Sequence, residues 1–455
     1  MDNNTIAAIS TPFAQGGIGV IRISGPEAKD IASKVFKSAC AKSILHMQGY
    51  RAMFGHVFDE DGEIDEAILL NFNAPHSYTG EDVIEISVHS GLYILKRVLR
   101  AVINAGAKLA EGGEFTKRAF LNGKISLTQA ESVMDLISAQ SGQAAHAALM
   151  AKEGAIFEQI SKIKGELLDL IAHISAWIDY PEEDIIDISK EEIKNVILNV
   201  KDCLKKLEST FDVGKILKEG INTVIIGKPN VGKSTLMNLL VGTTKSIVTD
   251  IPGTTRDVIE ENILLDDVML NIFDTAGIRD TLDLVEKQGV YLAQQKIEVA
   301  DIILAVFDNS REFDEEDESV INQLDANKTI AIINKIDLVC KLDVNKIVNK
   351  IPNVIMVEGN NIKSKEIISA AVKQVLNLKN IDPSAVIISN ERQLFCIKNA
   401  IKNIGDVLNS IENNYTYDAI AVSIEAVIDS LLELTGEQVS ESVVNKVFAK
   451  FCVGK

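Results

Sequence analysis

The sequence lacks the cysteine spacings that indicate a disulfide framework or a thiolate zinc site. Its five cysteines are an odd number and contain no Cys-x-x-Cys pair. Its six histidines are scattered and form no His-Glu-x-x-His. No stretch approaches the roughly 18 apolar residues of a membrane span, and no basic segment followed by an apolar one opens the chain. We therefore expect a cytoplasmic protein without a membrane segment.

Basic residues are also in short supply. The chain has 46 Lys and Arg against 65 Asp and Glu, a net charge of −19. A field of this sign repels phosphates, which excludes indiscriminate polyanion binding but permits a local basic groove for one RNA. At 455 residues with 46% apolar residues, the chain is long enough for about three domains, each with a buried core.

The most informative stretch is residues 227–235, which read Gly-Lys-Pro-Asn-Val-Gly-Lys-Ser-Thr and fit a phosphate-binding loop. An apolar β-branched run precedes it, and a helical segment ending near Gly242 follows it. Gly227 and Gly232 allow backbone N–H groups to close around phosphate oxygens at a helix N-terminus. We expect Lys233 to reach the β- and γ-phosphates and the Ser234 hydroxyl to ligate Mg²⁺.

Two later motifs indicate which nucleotide binds. Asp274-Thr-Ala-Gly277 follows a short apolar strand, which suits an Asp facing the metal and a Gly N–H facing the γ-phosphate. Asn334-Lys-Ile-Asp337 follows a buried strand as well. The Asp337 carboxylate can accept the N1 and N2 protons of guanine, whereas adenine has an acceptor at N1 and is rejected. Together the motifs predict a GTP site.

The sequence offers several candidates for the residues that promote GTP hydrolysis. Ile278 stands where Ras-like proteins carry the Gln that orients water. Asn230 is a candidate ligand for a monovalent cation, and Glu286 is either the residue that positions water or a surface carboxylate. Residues 251–257 resemble a switch loop, in which Thr255 would complete the Mg²⁺ shell. Arg256 is either an internal arginine finger or part of a structural ion pair.

Strand and helix patterns divide the chain into segments. The pattern predicts an α+β domain over 1–120, helices over 121–218, alternating strands and helices over 219–378, and helices again over 379–455. Apolar stripes with helical spacing run over 160–178 and 394–411, and Ser189 to Glu192 predict a capping box at the start of a helix. The predicted fold is therefore multidomain: an α+β N-terminal domain and a discontinuous all-α domain with an inserted Ras-like α/β GTPase domain and its parallel sheet. From the residues alone, the last five residues are expected to be a frayed end.

Several stretches together identify a family. They are residues 16–25, Tyr78–Asp82, Gly113–Lys124, Asp179–Glu183, Asp250–Asp257 and the tail Phe-Cys-Val-Gly-Lys. With these marks the chain resembles, over essentially its whole length, the tRNA modification GTPase family. Members of that family work with an FAD-dependent partner and modify carbon 5 of wobble uridines.

The resemblance implies a role for the N-terminal domain. It is similar to folate-dependent aminomethyltransferases, and it would dimerise and bind 5-formyl-tetrahydrofolate or a related tetrahydrofolate. The implied folate contacts are Arg22, Glu85, Lys124 and Lys455. Cys452 in the tail is the implied catalytic candidate for the uridine step.

The resemblance also completes the GTP site. The implied GTP contacts are Asn230, Val231, Gly232, Lys233, Ser234, Thr235, Thr249, Asp250, Ile251, Pro252, Gly253, Thr254, Thr255, Asp274, Thr275, Ala276, Gly277, Asn334, Lys335 and Asp337. Magnesium would bind Ser234 and Thr255, and K⁺ would bind Asn230, Thr249, Ile251 and Thr254. The cation would stabilise the switch loop and drive pairing of two GTP domains, while Glu286 would orient the attacking water.

The implied function is GTP hydrolysis coupled to addition of an aminomethyl-type group to tRNA, in a heterotetramer of this homodimer with its FAD-dependent partner. One loop departs from the family: residues 354–360 lack the usual Ser-Ala pair beside guanine, so we expect backbone N–H groups near Glu358 to serve instead. A GTP domain is compatible with two alternative functions. A ribosome-assembly GTPase would carry an appended basic module, which the sequence lacks. A one-carbon transferase with a regulatory GTP domain would leave tRNA unmodified.

Overall fold

The computed structural model describes residues 4–40, 42–179, 189–242, 261–274, 296–359, 361–376, 378 and 385–455. The chain forms two compact units. One contains Met1–Met134, Ala151–Lys201 and Phe395–Lys455, and the other contains Asp135–Met150 and Asp202–Leu394. The predicted multidomain, mixed helix-and-sheet fold is confirmed, while the domain boundaries at 120, 218 and 378 stay predictions.

The first unit begins with a seven-stranded sheet in the order β3-β4-β5-β6-β2-β1-β7. Its strands are β1 Ile6–Ile9, β2 Gly16–Ser24, β3 Phe36–Ser38, β4 Arg51–Asp59, β5 Gly62–Phe72, β6 Val83–Ser90 and β7 Lys108–Leu109. Helices α1 (Ala28–Val35) and α2 (Leu92–Asn104) share a core with it. Alternation sets the buried face: Ile21 and Ile23 of β2 are fully buried in this core, whereas Arg22 between them points to the other face.

The helical segments follow the predicted apolar stripes. These helices are α3 Glu114–Leu121, α4 Leu127–Ser138, α5 Gly142–Glu153, α6 Ala155–Asp179, α7 Lys190–Glu208, α13 Glu391–Glu412, α14 Tyr417–Thr435 and α15 Glu441–Phe448. The stripe of α6 packs against α14, and the rings of Trp177 and Tyr417 lie 4.7 Å apart. The predicted capping box before α7 is confirmed, since Ser189 N donates to Glu192 Oε2 at 2.8 Å and Glu192 N donates to Ser189 Oγ at 3.2 Å.

The second unit contains a six-stranded sheet in the order β13-β12-β11-β8-β10-β9. Its strands are β8 Ile221–Ile226, β9 Glu261–Leu265, β10 Val268–Asp274, β11 Ile302–Asp308, β12 Thr329–Asn334 and β13 Asn353–Met356. Its helices include α8 Phe211–Glu219, α9 Lys233–Val241, α10 Glu315–Asn322, α11 Val344–Val348 and α12 Lys363–Val375. Apolar clusters cover both faces, with Ile221 and Ile225 of β8 in one cluster and Val224 and Ile226 in the other.

The sheet differs from the prediction at one edge. It was expected to be parallel, but β9 runs antiparallel to β10. The cause is local: only Asp266 and Asp267 join the two strands, and Asp266 has φ 54°. A two-residue turn joins antiparallel strands, because a parallel connection needs a long crossover.

None of the helices within the described ranges is long and apolar enough to cross a membrane.

Candidate functional site

The carboxyl ends of the parallel strands in the second unit bring the predicted nucleotide motifs together. Strand β8 ends at Ile226, directly before the phosphate-binding loop. Asp274 ends β10 and lies opposite Ile225 of β8, while Asp308 and Asn334 end β11 and β12 as paired residues. In open α/β sheets the ligand binds at this edge, where the strand order reverses.

The two glycines of the phosphate loop occupy positions that other residues would not fit. Gly227 has φ 149°, and an added Cβ would lie 2.4 Å from Val306 O. Gly232 has φ 101°, and its Cβ would lie 2.2 Å from Asn334 Nδ2. Both the backbone angle and the space therefore require glycine. The loop then passes directly into α9, and the N-terminus of a helix is a favourable site for an anion because its first N–H groups point outward along the axis.

Lys233 begins α9 and points back into the loop. Its Nζ donates to Gly227 O at 2.9 Å and to Lys228 O at 2.7 Å. Ser234 and Thr235 follow in the first helical turn with exposed side chains. A cationic group enclosed by the loop and an exposed hydroxyl beside it are the groups that bind phosphates and Mg²⁺ in such loops.

The segment after β12 holds the same loop from the other side. Asn334 is buried, at 2% exposure, and its Nδ2 donates to Val231 O at 3.0 Å. Lys335 Nζ donates to Asn230 O at 2.8 Å and contacts Asp308 Oδ2 at 2.6 Å. The guanine-reading motif predicted from the sequence is thus bonded directly to the phosphate loop.

Asp308 is a residue of this site that the sequence reasoning missed. Burial alone would raise the pKa of its carboxyl, but hydrogen bonds from Lys335 and Ser310 outweigh burial and hold the pKa below its ordinary value. The available signal was its place in the sequence, because Asp308 is the one polar residue of β11 and ends an otherwise apolar strand.

The loop after β13 lies where the guanine-side loop was expected. An added Cβ at Gly359 would lie 3.2 Å from Asn334 Oδ1 and 3.2 Å from Thr235 Cγ2, so the loop faces both motifs. Glu358 N donates to Ser364 Oγ at 3.1 Å. The Glu358 amide is therefore already bonded within its own loop. The prediction that backbone N–H groups near Glu358 contact guanine then applies to the neighbouring amides. Asp337 has an exposed side chain.

A second cluster lies in the first unit around Arg22. Its Nε donates to Glu85 Oε1 at 2.8 Å, and its Nη1 approaches Gly454 O at 3.5 Å. Aromatic rings flank the guanidinium, with the ring centroids of Tyr78 and Phe115 at 5.5 and 5.6 Å. The sequence reasoning missed these two rings as members of the cluster, although Tyr78 begins one of the stretches that mark the family.

The last five residues dock against this cluster, so the expectation of a frayed end is wrong. Val453 forms a β-bridge with Gly112, and Phe115 N donates to Lys455 O at 3.2 Å. Phe451 is buried beside Leu127 and other apolar side chains. Burial of this apolar ring and the backbone hydrogen bonds that Gly113 and Phe115 donate to the tail fix the segment in place.

One tail side chain, Lys455, lies close to Arg22 and Glu85. Burial lowers the pKa of the Lys455 ammonium, the Arg22 cation lowers it further, and Glu85 acts in the opposite sense. Cys452 is exposed, and its carbonyl accepts from Gly113 N at 3.2 Å. Arg22, Glu85 and Lys455 are therefore neighbours, as one binding site would require.

Lys124 lies between α3 and α4 and packs against the loop that carries Tyr78. Its Nζ donates to Pro75 O at 3.1 Å, and its side chain packs 3.3 Å from the Cβ position of Gly80. Lys124 also lines a cleft of about 1290 Å³ in the same unit, together with Lys117. Among the described residues, Lys124 makes no hydrogen bond to Arg22. It is connected to the cluster only through this loop.

Some predicted residues lie outside the described part of the chain. They are Thr249, Asp250, Ile251, Pro252, Gly253, Thr254, Thr255, Arg256, Thr275, Ala276, Gly277, Ile278 and Glu286. Across the described ranges, no group of three or more His, Cys, Asp or Glu side chains is arranged to hold a metal ion. The predicted metal ligands are hydroxyl, amide and carbonyl oxygens, which belong to a different kind of site.

Comparison with known proteins identifies the family to which the chain is similar. A family model described as the MnmE helical domain matches residues 127–452, and one described as the GTP-binding protein TrmE N-terminus matches residues 5–124. The tRNA modification GTPase MnmE of Clostridioides difficile is 40% identical over 456 residues, covering 100% of this chain and 99% of that protein. The protein of the same name from Bacillus pumilus is 41% identical, covering 99% and 100%.

Among solved structures, Era of Aquifex aeolicus aligns with 40% of this chain and 65% of its own, at 25% identity and a TM-score of 0.26. That TM-score is too low to support an argument about the fold. The assignment depends instead on two family models that together match most of the chain and on relatives that match it from end to end. The chain belongs to the MnmE family, whose members compared above are named tRNA modification GTPases.

Proposed function

We propose that this protein hydrolyses GTP and couples that reaction to modification of tRNA. With an FAD-dependent partner it adds an aminomethyl-type group to carbon 5 of wobble uridines, using a tetrahydrofolate as one-carbon donor. It works in the cytoplasm as a homodimer that joins its partner in a heterotetramer. Membership of the MnmE family and the two clusters described above support this proposal.

One observation carries the GTP part of the proposal. Asn334 and Lys335 bond to the carbonyl oxygens of Val231 and Asn230, so the guanine-reading motif and the phosphate loop form one hydrogen-bonded frame. A nucleotide that spans this frame has its phosphates at Lys233 and its base at Asp337. The Asp337 carboxylate selects guanine because it can accept hydrogen bonds from the N1–H and the 2-amino group of that base, whereas adenine has an acceptor at N1 and no amino group at carbon 2.

The residues present fit the metal ions of the proposal. The Ser234 hydroxyl is exposed in the first turn of α9, where it can ligate Mg²⁺ together with Thr255. Asn230 is exposed and left-handed, with φ 61°, and offers an amide oxygen of the hard type that K⁺ prefers. The other proposed K⁺ ligands are Thr249, Ile251 and Thr254.

In this proposal two groups replace the water-orienting Gln of Ras-like proteins, whose position is occupied here by Ile278. A monovalent cation supplies positive charge beside the phosphates, where other GTPases use an arginine finger. Glu286 accepts a hydrogen bond from the attacking water and thereby orients it in line with the γ-phosphate. Pairing of two GTP domains around the cation completes each site.

The Arg22 cluster fits a folate. Arg22, Lys124 and Lys455 provide cationic groups for the carboxylates of the glutamate tail, and Glu85 provides an acceptor for ring N–H groups. Tyr78 and Phe115 add aromatic faces beside the same guanidinium. We assign Cys452 to the uridine step because its thiol is exposed on the tail that borders this cluster.

Two measurements test the function. Mass spectrometry of wobble nucleosides in tRNA from cells lacking the protein should show loss of the modified uridine, and unchanged uridines would exclude the proposal. Turnover of GTP by the purified protein should be much faster in K⁺ than in Na⁺ at equal ionic strength. Equal rates would exclude the role of Asn230 while leaving GTP binding untouched.

A further inference from the structure

We propose that Asp308 is a positioning residue for the monovalent-cation site, acting on Asn230 through Lys335. The contacts form one chain: Asp308 Oδ2 lies 2.6 Å from Lys335 Nζ, which donates to Asn230 O at 2.8 Å. The inference rests on the proposed function, because it assumes that Asn230 is a K⁺ ligand.

The Asp308 carboxylate is held so that one oxygen serves Lys335. Its side chain is 2% exposed. Ser310 donates to Oδ1 from both its backbone N at 2.9 Å and its hydroxyl at 2.6 Å. The other oxygen, Oδ2, faces Lys335 at 2.6 Å and Arg311 Nε at 3.5 Å. A carboxylate fixed at both oxygens orients its lysine more firmly than a surface ion pair does.

Asn230 needs such a contact because of its backbone. It is a non-glycine residue in the left-handed region, with φ 61°, a conformation that Asn tolerates better than most residues but that still costs free energy, so a contact to the adjoining peptide stabilises it. The Lys335 ammonium grips the Asn230 carbonyl and so fixes the direction of that peptide. The backbone at Asn230 sets the direction of the Cα–Cβ bond, from which the exposed side chain extends toward the cation site.

Charge gives a second reason. The Lys335 ammonium lies 2.8 Å from the carbonyl oxygen of the proposed cation ligand, and like charges repel. Asp308 neutralises that ammonium at 2.6 Å. Removal of the carboxylate would leave a net positive charge beside the site. Cation binding would then weaken for two reasons, because Asn230 is oriented less firmly and because the ammonium repels the cation.

The arrangement also joins two recognition events. Lys335 belongs to the segment Asn334–Asp337, which the proposal assigns to guanine, and it also holds the cation ligand. Guanine binding that orders Lys335 therefore raises cation affinity, and by thermodynamic reciprocity the cation raises guanine-nucleotide affinity to the same extent.

The test uses the full-length protein and the substitution Asp308→Asn. The matched control is Asp266→Asn, because Asp266 also accepts from a serine and a lysine, Ser369 and Lys373, the latter at 2.9 Å. Asp266 lies in the β9–β10 turn and makes no bond to the phosphate loop among the contacts between described residues. The readouts are the thermal stabilisation of the complex with a non-hydrolysable GTP analogue and the GTP turnover, both titrated with K⁺ at constant ionic strength.

For Asp308→Asn we expect the K⁺ concentration that gives half of each effect to rise about five- to tenfold, because a charge-assisted contact is lost. The Asp266→Asn curve should overlay the wild-type curve. Coincidence of the Asp308→Asn and wild-type curves would overturn the inference and leave the cation site standing. A wild-type protein indifferent to K⁺ would instead overturn the cation role in the proposed function, and the inference with it.

A double-mutant cycle guards against a general loss of structure. In the Lys335→Met background, Asp308→Asn should cause no further change in the K⁺ requirement, since the residue that transmits its effect is gone. An equal further shift in that background would show that Asp308 acts by another route and would overturn the inference. Should Asp308→Asn alone unfold, the double variant removes both charges together and still reports the comparison with Lys335→Met.

Discussion

Arg22 and Glu85 are directly opposed residues of β2 and β6, and the antiparallel register brings their side chains into a two-point contact. Arg22 Nε and Nη2 lie 2.8 and 2.7 Å from Glu85 Oε1. The side chains are only 18% and 19% exposed. The guanidinium is therefore fixed on the sheet face that receives the tail residue Gly454.

The first prediction concerns folate affinity. We expect Glu85→Gln to weaken binding of 5-formyl-tetrahydrofolate about tenfold, because loss of a charge-assisted contact frees Arg22. Calorimetric titration measures this. The control is Asp59→Asn, which breaks a similar pair, at 2.6 and 2.7 Å, between Asp59 at the end of β4 and Arg97 on α2. Equal weakening by both variants would show that the loss reflects sheet stability and not the site.

The second prediction concerns the tail. Gly454 has φ 93°, and an added Cβ would lie 2.2 Å from Ile9 O. Gly454→Ala should therefore displace the tail and accelerate hydrogen exchange at the Gly113 and Phe115 amides, which donate to it. In contrast, Gly405→Ala meets nothing within 4 Å and should stabilise α13 by up to about 1 kcal/mol without altering that exchange.

The third prediction concerns the first half of the phosphate loop. Lys228 Nζ contacts Asp314 and Asp317 at 2.6 and 2.7 Å. Burial disfavours the charged Lys228, yet its two carboxylate partners outweigh burial and raise its pKa. We expect Asp317→Asn to destabilise the nucleotide-binding unit by about 2 kcal/mol, since the pair is nearly buried.

Scanning calorimetry should show this as a lower unfolding midpoint of the nucleotide-binding unit. The transition of that unit is the one whose midpoint rises when GTP is added. Glu315→Gln is the control, because it makes the same charge change on α10 at an exposed position. A midpoint that is unchanged in Asp317→Asn would contradict the prediction.

The fourth prediction concerns pH. The hydrogen bond that His89 donates to the Asp65 carboxylate, together with the negative charge of that carboxylate, raises the pKa of His89 above the ordinary value. Protonation is favoured in the folded state, so the pair contributes stability below the ordinary histidine pKa and loses it as pH rises through the raised pKa. NMR titration of His89 should show a downward shift in Asp65→Asn and a smaller one in Glu66→Gln. A His89 pKa that Asp65→Asn leaves unmoved would refute this assignment.

The fifth prediction concerns the base. In xanthine a carbonyl replaces the 2-amino group of guanine, so an amide donor at residue 337 suits it better than a carboxylate does. Asp337→Asn should reduce kcat/KM for GTP by roughly a hundredfold or more and raise it for xanthosine triphosphate. Initial rates with both nucleotides decide this. Loss of activity toward both would place Asp337 in the structure of the loop, not in base selection.

Local patterns in the sequence were enough for most of the fold. β-Branched runs predicted β8 and β12, the apolar stripes predicted α6 and α13, and Ser189 with Glu192 predicted the start of α7. These signals are read within a few residues, because each depends on strand alternation, helical period or capping. The antiparallel edge strand β9 escaped prediction because a two-residue turn such as Asp266-Asp267 carries no glycine or asparagine.

The candidate sites divide in the same way. Lys233, Asn334 and Asp337 belong to contiguous motifs with fixed spacing, and they were found from the sequence. Asp308 and the docked tail were missed, because their partners lie 27 residues away for Lys335 and 432 residues away for the contact of Arg22 with Gly454. Contacts of this kind are created by topology and leave no periodic trace in the sequence.

The pairing of α6 with α14 bears on how the chain is made. Trp177 and Tyr417 meet although the whole nucleotide-binding segment separates them in the order of synthesis. At a ribosomal rate of about 5–20 residues per second, α6 emerges many seconds before its partner. During that interval its apolar stripe has to be shielded by a chaperone or a provisional contact, so slowing translation within residues 219–378 should raise the yield of misassembled protein.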